Sequence, residues 1–154
     1  MRFLYLAFTV LGLMTIAQSA LACPDWRADP HFGQIDLNAG FQPDPWRKRV
    51  TAGGTIDLSR CLNGASGYVT RKPDFDLYWD GRSDQLIIAI ESNADAVLLV
   101  NAPDEKWYYD DDTNGSNPVI VFRNPKPGLY DIWIGSYDGS RRNPANLVFT
   151  ELNY

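Results

Sequence analysis

The chain never sustains an apolar pattern for long. From residue 34 onward, short runs rich in Val, Ile, Leu, Tyr and Trp are broken by Gly, Pro, Asn and Asp, at intervals of roughly ten residues. A helix needs apolar positions repeating every three to four residues across a window of about eleven or more. No such window occurs without a Gly or Pro interruption. The runs fall at 34–37, 46–51, 55–58, 67–70, 75–79, 85–91, 96–101, 107–110, 119–122, 130–136 and 146–151, and each is short enough to cross a small sheet once. The expected fold is therefore all-β, an antiparallel, jelly-roll-like β-sandwich of about ten short strands with little helix.

The clearest runs also say which way they face. Leu86 to Ile90 and Ala96 to Val100 are almost continuously apolar, the signature of strands covered on both faces. In 75–79, Phe75, Leu77 and Trp79 share one face and Asp76 and Tyr78 the other; in 130–136, Tyr130, Ile132 and Ile134 oppose Asp131 and Trp133. Most aromatic rings are thus expected in the core or in cross-strand pairs. Arg47-Lys48-Arg49 lies within a run and reads as a solvated strand edge that resists edge-to-edge association.

The amino-terminal end has the form of an export signal. Arg2 precedes an apolar stretch, 3–16, and Ala20-Leu21-Ala22 has the small-x-small pattern that signal peptidase accepts. The stretch is shorter than the ~20 residues of a membrane span and is followed by Gln18-Ser19. The expectation is a cleaved signal over 1–22 and a single domain over 23–154, periplasmic or secreted, with no transmembrane span after cleavage. Cys23 and Cys61 are the only cysteines, so in an oxidising compartment they have one possible pairing. A lipid anchor on Cys23 is the less favoured alternative, because Ala20 stands where lipoprotein signals usually carry Leu.

Charge narrows the partners. With 14 Lys+Arg against 19 Asp+Glu the formal charge is -5, the wrong sign for a nucleic-acid binder. The acid is also unevenly divided: 16 Asp against 3 Glu (Glu91, Glu105, Glu151). Asp serves turns and hard cations, whereas Glu favours helix surfaces.

One constellation has metal-ligand spacing. Asp110-Asp111-Asp112-Thr113-Asn114-Gly115 contains the first half of a calcium loop, with Asp110, Asp112 and Asn114 at alternate positions and Gly115 permitting the turn. Val121 stands where a helix-loop-helix site would need a bidentate Glu, which leaves a β-loop site completed by distant groups, with Asp131, Asp138 and Asp76 as candidates. The competing expectation is a hairpin in which these side chains serve turn geometry and solubility. Arg141 or Arg142 is positioned to pair with this loop.

Catalytic sets are missing. His31 is the sole histidine, no Gly-x-Ser-x-Gly or phosphate-binding Gly-rich loop is present, and no His/Cys cluster suits zinc. A hydrolase would have to combine His31 with an unmarked serine such as Ser136, or use an unmarked pair of aspartates. The chain is therefore expected to be a non-enzyme.

Several stretches resemble the secreted β-sandwich modules related to the bacterial pre-peptidase C-terminal domain. They are Ile35 to Pro45, Thr51-Ala52-Gly53-Gly54, Phe75 to Trp79, Leu98-Leu99-Val100-Asn101-Ala102-Pro103-Asp104, Trp107 to Asp112 and Tyr130 to Tyr137. The likeness spans about 33–151. Such modules occur as accessory domains of exported proteases and as small stand-alone periplasmic proteins of proteobacteria. The resemblance implies a β-sandwich whose Tyr130-to-Gly135 strand lies in the core, and calcium held by Asp110, Asp111 and Asp112. Where many relatives carry a Cys before the acidic triplet this chain has Tyr109, so a second disulfide is not expected. The resulting expectation is a non-catalytic binding or accessory module for a protein or glycan, with calcium as its ion. The alternative is a carbohydrate-binding module presenting Tyr78, Trp107, Tyr108 and Trp133.

Overall fold

The computed structural model describes residues 23–139 and 141–154; the signal expected over 1–22 lies outside them. Eleven strands form two facing sheets. They are β1 (Gln34–Asn38), β2 (Trp46–Ala52), β3 (Ile56–Asp57), β4 (Tyr68–Val69), β5 (Phe75–Asp80), β6 (Gln85–Ser92), β7 (Ala96–Asn101), β8 (Trp107–Asp110), β9 (Val119–Arg123), β10 (Gly128–Ser136) and β11 (Asn143–Thr150). Helix among the described residues amounts to one 3-10 turn, Leu58–Arg60. None is long and apolar enough to cross a membrane.

Eight of the strands carry the jelly-roll. β7 pairs with β8, β6 with β9, β5 with β10 and β2 with β11, all antiparallel. The chain thus folds back on itself as nested pairs, and successive strands step between sheets. One sheet reads β2-β11-β6-β9; the other contains β5, β10, β7 and β8, flanked by β1 and joined by the short β3 and β4. The expected antiparallel sandwich is corrected at one edge, where β1 runs parallel to β5. Its ten-residue-scale punctuation gave no sign of strand direction, because the pairing is set by where the chain enters the sheet.

Between the sheets lie Phe75, Leu77 and Trp79 of β5, Leu86, Ile88 and Ile90 of β6, Leu98 and Val100 of β7, Tyr130, Ile132 and Ile134 of β10, and Leu147 and Phe149 of β11. Trp46 stacks on Phe149 with centroids 5.1 Å apart. The strand alternation read from the sequence is realised here. A second apolar cluster explains why β7 is apolar on both faces. Val97, Leu99 and Trp133 point away from the other sheet and are roofed by Leu58, Leu62, Ala65 and Val69 from the segment between β2 and β5. On β6 the outward Ile87 and Ala89 pack with Val148 and Val119.

Cys23 and Cys61 are bonded, with Cα atoms 5.7 Å apart. The bond ties the irregular lead, 24–33, to the roof segment, and the thiol that a lipid anchor would need is engaged in it. β2 is an edge strand with Arg47 and Arg49 exposed, as the basic run suggested.

Candidate functional site: the acidic end and the buried aspartates

The acidic triplet begins where β8 ends. Asp110 is the last residue of that strand and its carboxylate organises the following loop: Oδ1 accepts from the Thr113 hydroxyl at 2.9 Å, and Oδ2 accepts from the backbone N–H groups of Val119 at 2.7 Å and Thr113 at 3.3 Å. The chain then turns tightly, with Asn114 and Asn117 exchanging backbone hydrogen bonds of 3.0 and 3.2 Å and Gly115 at φ +66°. Asn117 Oδ1 accepts from Ser92 N at 2.9 Å, and Ala96 N donates to Ser116 O at 3.1 Å. Both bonds anchor the loop to the β6–β7 connection.

The carboxylates of Asp110, Asp111 and Asp112 offer oxygens that lie within 4.8 Å of one another. Oxygens bound to one calcium at 2.3–2.6 Å are at most about 5 Å apart, a span that the triplet's oxygens stay within. Asp95 approaches from the β6–β7 connection, and its carboxyl is pushed up by partial burial and then by the charges of Asp111 and Asp112. Asp95 was not marked by sequence spacing; it sits in the turn between the two most apolar strands, sixteen or so residues from the triplet in a loop with no motif.

Of the more distant groups expected to complete this set, Asp131 and Asp76 are elsewhere. Asp131 lies in the middle of β10 opposite Asn101, whereas Asp110 is opposite Leu98. That separates them by about three residues along the strands, on the order of 10 Å, in addition to the width of two strand spacings. Asp76 is one strand further away, opposite Asp131. Asp138 follows Tyr137, whose N–H donates to Asp95 O at 3.1 Å, but the three-acid group comprises 110–112 alone among the described residues. Asn114 contributes backbone bonds to the turn. Neither Arg141 nor Arg142 forms an ion pair with the triplet among the described residues; the charge of Arg142 acts on Asp74.

The expected aromatic platform is corrected. Trp133 is fully buried beneath the roof segment, with its ring 5.2 Å from that of the half-buried Trp107. Tyr108 faces the opposite side of the same sheet, where it packs against Phe122 at 4.8 Å and its hydroxyl donates to Asp104 Oδ2 at 3.0 Å. Tyr78 alone is open, at 38% exposure. Adjacent residues of one strand face opposite ways, which turns Tyr108 inward while Trp107 faces out, and alternation carried no information about the roof that covers Trp107 and Trp133.

A serine–histidine pair is not assembled. Ser136 is buried, and its hydroxyl donates to Asp95 O at 3.4 Å and accepts from Asn143 Nδ2 at 3.4 Å. His31 is exposed in the lead, where its backbone N–H donates to Pro73 O.

Three acids are buried, Asp76 and Asp131 within strands and Asp74 just before β5: Asp74 at 1%, Asp76 at 6% and Asp131 at 3% exposure. Asp74 is hydrogen-bonded. Its Oδ2 accepts from Ile134 N at 2.7 Å and its Oδ1 from the Thr70 hydroxyl at 3.3 Å, yet burial still pushes its carboxyl up to about 7. Asp76 Oδ1 has no hydrogen-bond partner. Burial, and then the charge of Asp29, push Asp76 up to about 6; burial, and then Asp76 itself, push Asp131 up to about 7.

No family model matches this chain, and no curated protein matches it. A solved structure, that of Aeromonas hydrophila PliG, a periplasmic lysozyme inhibitor of g-type lysozyme, is similar with a TM-score of 0.40 and 13% identity, over 80% of this chain and 98% of that one. Similarity of that degree transfers neither fold nor function.

Proposed function

We propose that the protein is a non-catalytic, exported β-sandwich module that binds calcium through the Asp110–Asp112 loop and recognises a macromolecular partner. The observation that carries the calcium reading is the convergence of three carboxylates within 4.8 Å, with Asp95 drawn close enough for its carboxyl to feel their charge. Such a group repels itself, and a divalent cation relieves that repulsion. The resemblance to pre-peptidase C-terminal modules supports the same loop. Export to the periplasm or beyond is supported by the Cys23–Cys61 bond, since disulfides persist in oxidising compartments.

The burial of Ser136 and the engagement of its hydroxyl with Asp95 O and Asn143 Nδ2 support a binding role over serine-based hydrolysis. With Trp133 buried and Tyr108 turned to the inner face, a protein surface is favoured over a glycan as partner. Calorimetric titration with calcium tests the metal site. Saturable heat that is lost in Asp111→Asn/Asp112→Asn, with a melting temperature lowered by chelator, is expected. No heat and no chelator effect would remove the ion from the reading.

A further inference from the structure

Asp76 and Asp131 are direct neighbours across the β5–β10 ladder. The N–H of Asp76 is directed the other way, donating to Gly33 O at 3.1 Å beside β1. The Asp76–Asp131 pair is therefore of the non-hydrogen-bonded kind, in which Cα atoms approach to about 4.5 Å and side chains on the shared face come closest. Both residues are more than nine-tenths buried, and Asp76 Oδ1 has no partner.

Among the described residues nothing beside the pair supplies positive charge. On β1 the neighbour of Asp76 is Gln34, with Asp36 next on that face; on β7 the neighbour of Asp131 is Asn101, and beyond it on β8 stands Trp107. From the lead, Asp29 adds a negative field at Asp76, and from the strand approach Asp74 is held by Ile134 and Thr70. Arg142 reaches Asp74, and Arg71 pairs with Asp25 at 3.4 Å. Among the described residues no cation acts on Asp76 or Asp131. Two buried carboxyl groups at facing ladder positions, with no cation acting on them among the described residues, do not both ionise readily; a single proton held between them turns repulsion into a carboxyl–carboxylate hydrogen bond.

We propose that Asp76 and Asp131 share one proton and that this proton is a pH-sensitive latch for the amino-terminal lead. The lead runs over this region, with His31 N on Pro73 O at 2.9 Å, Phe32 N on Asp74 O at 2.8 Å and Gly33 O accepting from Asp76 N. Loss of the proton places two adjacent negative charges beneath Asp29. The lead is pushed outward while Cys23–Cys61 keeps its far end attached. The two aspartates titrate as one unit, with apparent values belonging to the pair.

The test is carbon-13 NMR titration of the aspartate carboxyls in calcium-free buffer, alongside amide-exchange protection of His31 and Phe32 corrected for intrinsic rate. The expected result is a carboxyl in the pair that stays protonated near neutral pH. Protection of the two amides then falls about tenfold for each pH unit above the pair's upper apparent value. In Asp131→Asn, a neutral amide facing one carboxylate, Asp76 titrates at lower pH and the tenfold dependence disappears. Asp29→Asn serves as a second, exposed variant that leaves the fold intact and weakens the dependence. Both carboxyls titrating independently near ordinary aspartate values would overturn the proposal. So would protection that does not change with pH, or calcium added to that buffer that ionises the pair while protection rises, since a cation would then be the occupant.

Discussion

Asp74 Oδ2 accepts a 2.7 Å hydrogen bond from the backbone N–H of Ile134, at the point where β10 outruns β5. Ile132 is the last β10 residue paired with β5, and Asp74 N returns a bond to Ile132 O at 2.7 Å. The side chain thus takes over where strand backbone is missing. Without it a buried donor in the central strand has no partner. Asp74→Ala is expected to destabilise the fold by about 1–3 kcal/mol, read as a lower urea midpoint at unchanged slope; Asp74→Asn, which retains an acceptor, is expected to lose less.

Stability should also follow the protonation of the three buried acids. Asp74, Asp76 and Asp131 are raised to about 7, 6 and 7. A carboxyl raised in the folded state binds its proton more tightly there than in the unfolded chain. Its contribution is present in full below the unfolded value, near 4, and declines as pH rises through the folded value. Urea unfolding between pH 5 and pH 8 is expected to show stability falling with pH, and Asp131→Asn to flatten that slope. A slope of opposite sign that persists in the variant would contradict the assignment.

The disulfide closes a loop with a sequence separation of 38. Restricting the unfolded chain by a loop of that length is worth about 4 kcal/mol on the chain-entropy estimate. Cys23→Ser/Cys61→Ser is expected to unfold at markedly lower denaturant while the strand content by circular dichroism persists in buffer. The lead should become the first site of proteolysis.

Gly135 has no room for a side chain. A Cβ there would press on the Val97 side chain and lie 2.5 Å from Tyr68 O, where β4 meets the end of β10. The backbone cannot yield without breaking that contact, so Gly135→Ala is expected to cost at least 1–3 kcal/mol as overpacking, roughly. Gly139→Ala would meet the Tyr68 ring instead, part of a half-buried side chain that can swing about its Cα–Cβ bond. Parallel thermal melts of the two variants should separate them, with the larger loss at Gly135.

The inward and outward faces of β5 and β10 were legible from alternation, because a strand turns successive side chains to opposite sides whatever it pairs with. So was the end-to-end jelly-roll class, since short punctuated strands bury themselves only by stacking sheets. Asp110–Asp112 was legible as a cluster because neighbouring residues in one loop cannot separate far. Asp131 and Asp76 were visible as acids on the outward face, but the sequence assigned them to the distant loop. Their meeting depends on which residue of β5 stands opposite which of β10, a register fixed by the whole ladder.

Local chemistry, then, was determined by the sequence: strand periodicity, turn residues and the acidic loop follow from contacts between residues a few positions apart, and the cysteine pairing from there being only two cysteines. What the tertiary structure decided was coverage and opposition. The roof of Leu58, Leu62 and Ala65 withdrew Trp133 from solvent, and the β5–β10 register set Asp76 against Asp131 on the outward face, buried near the amino-terminal lead. Both depend on partners distant in the chain, and desolvation is a property of everything packed around a group, so neither the burial of a ring nor the sharing of a proton is written in any one segment.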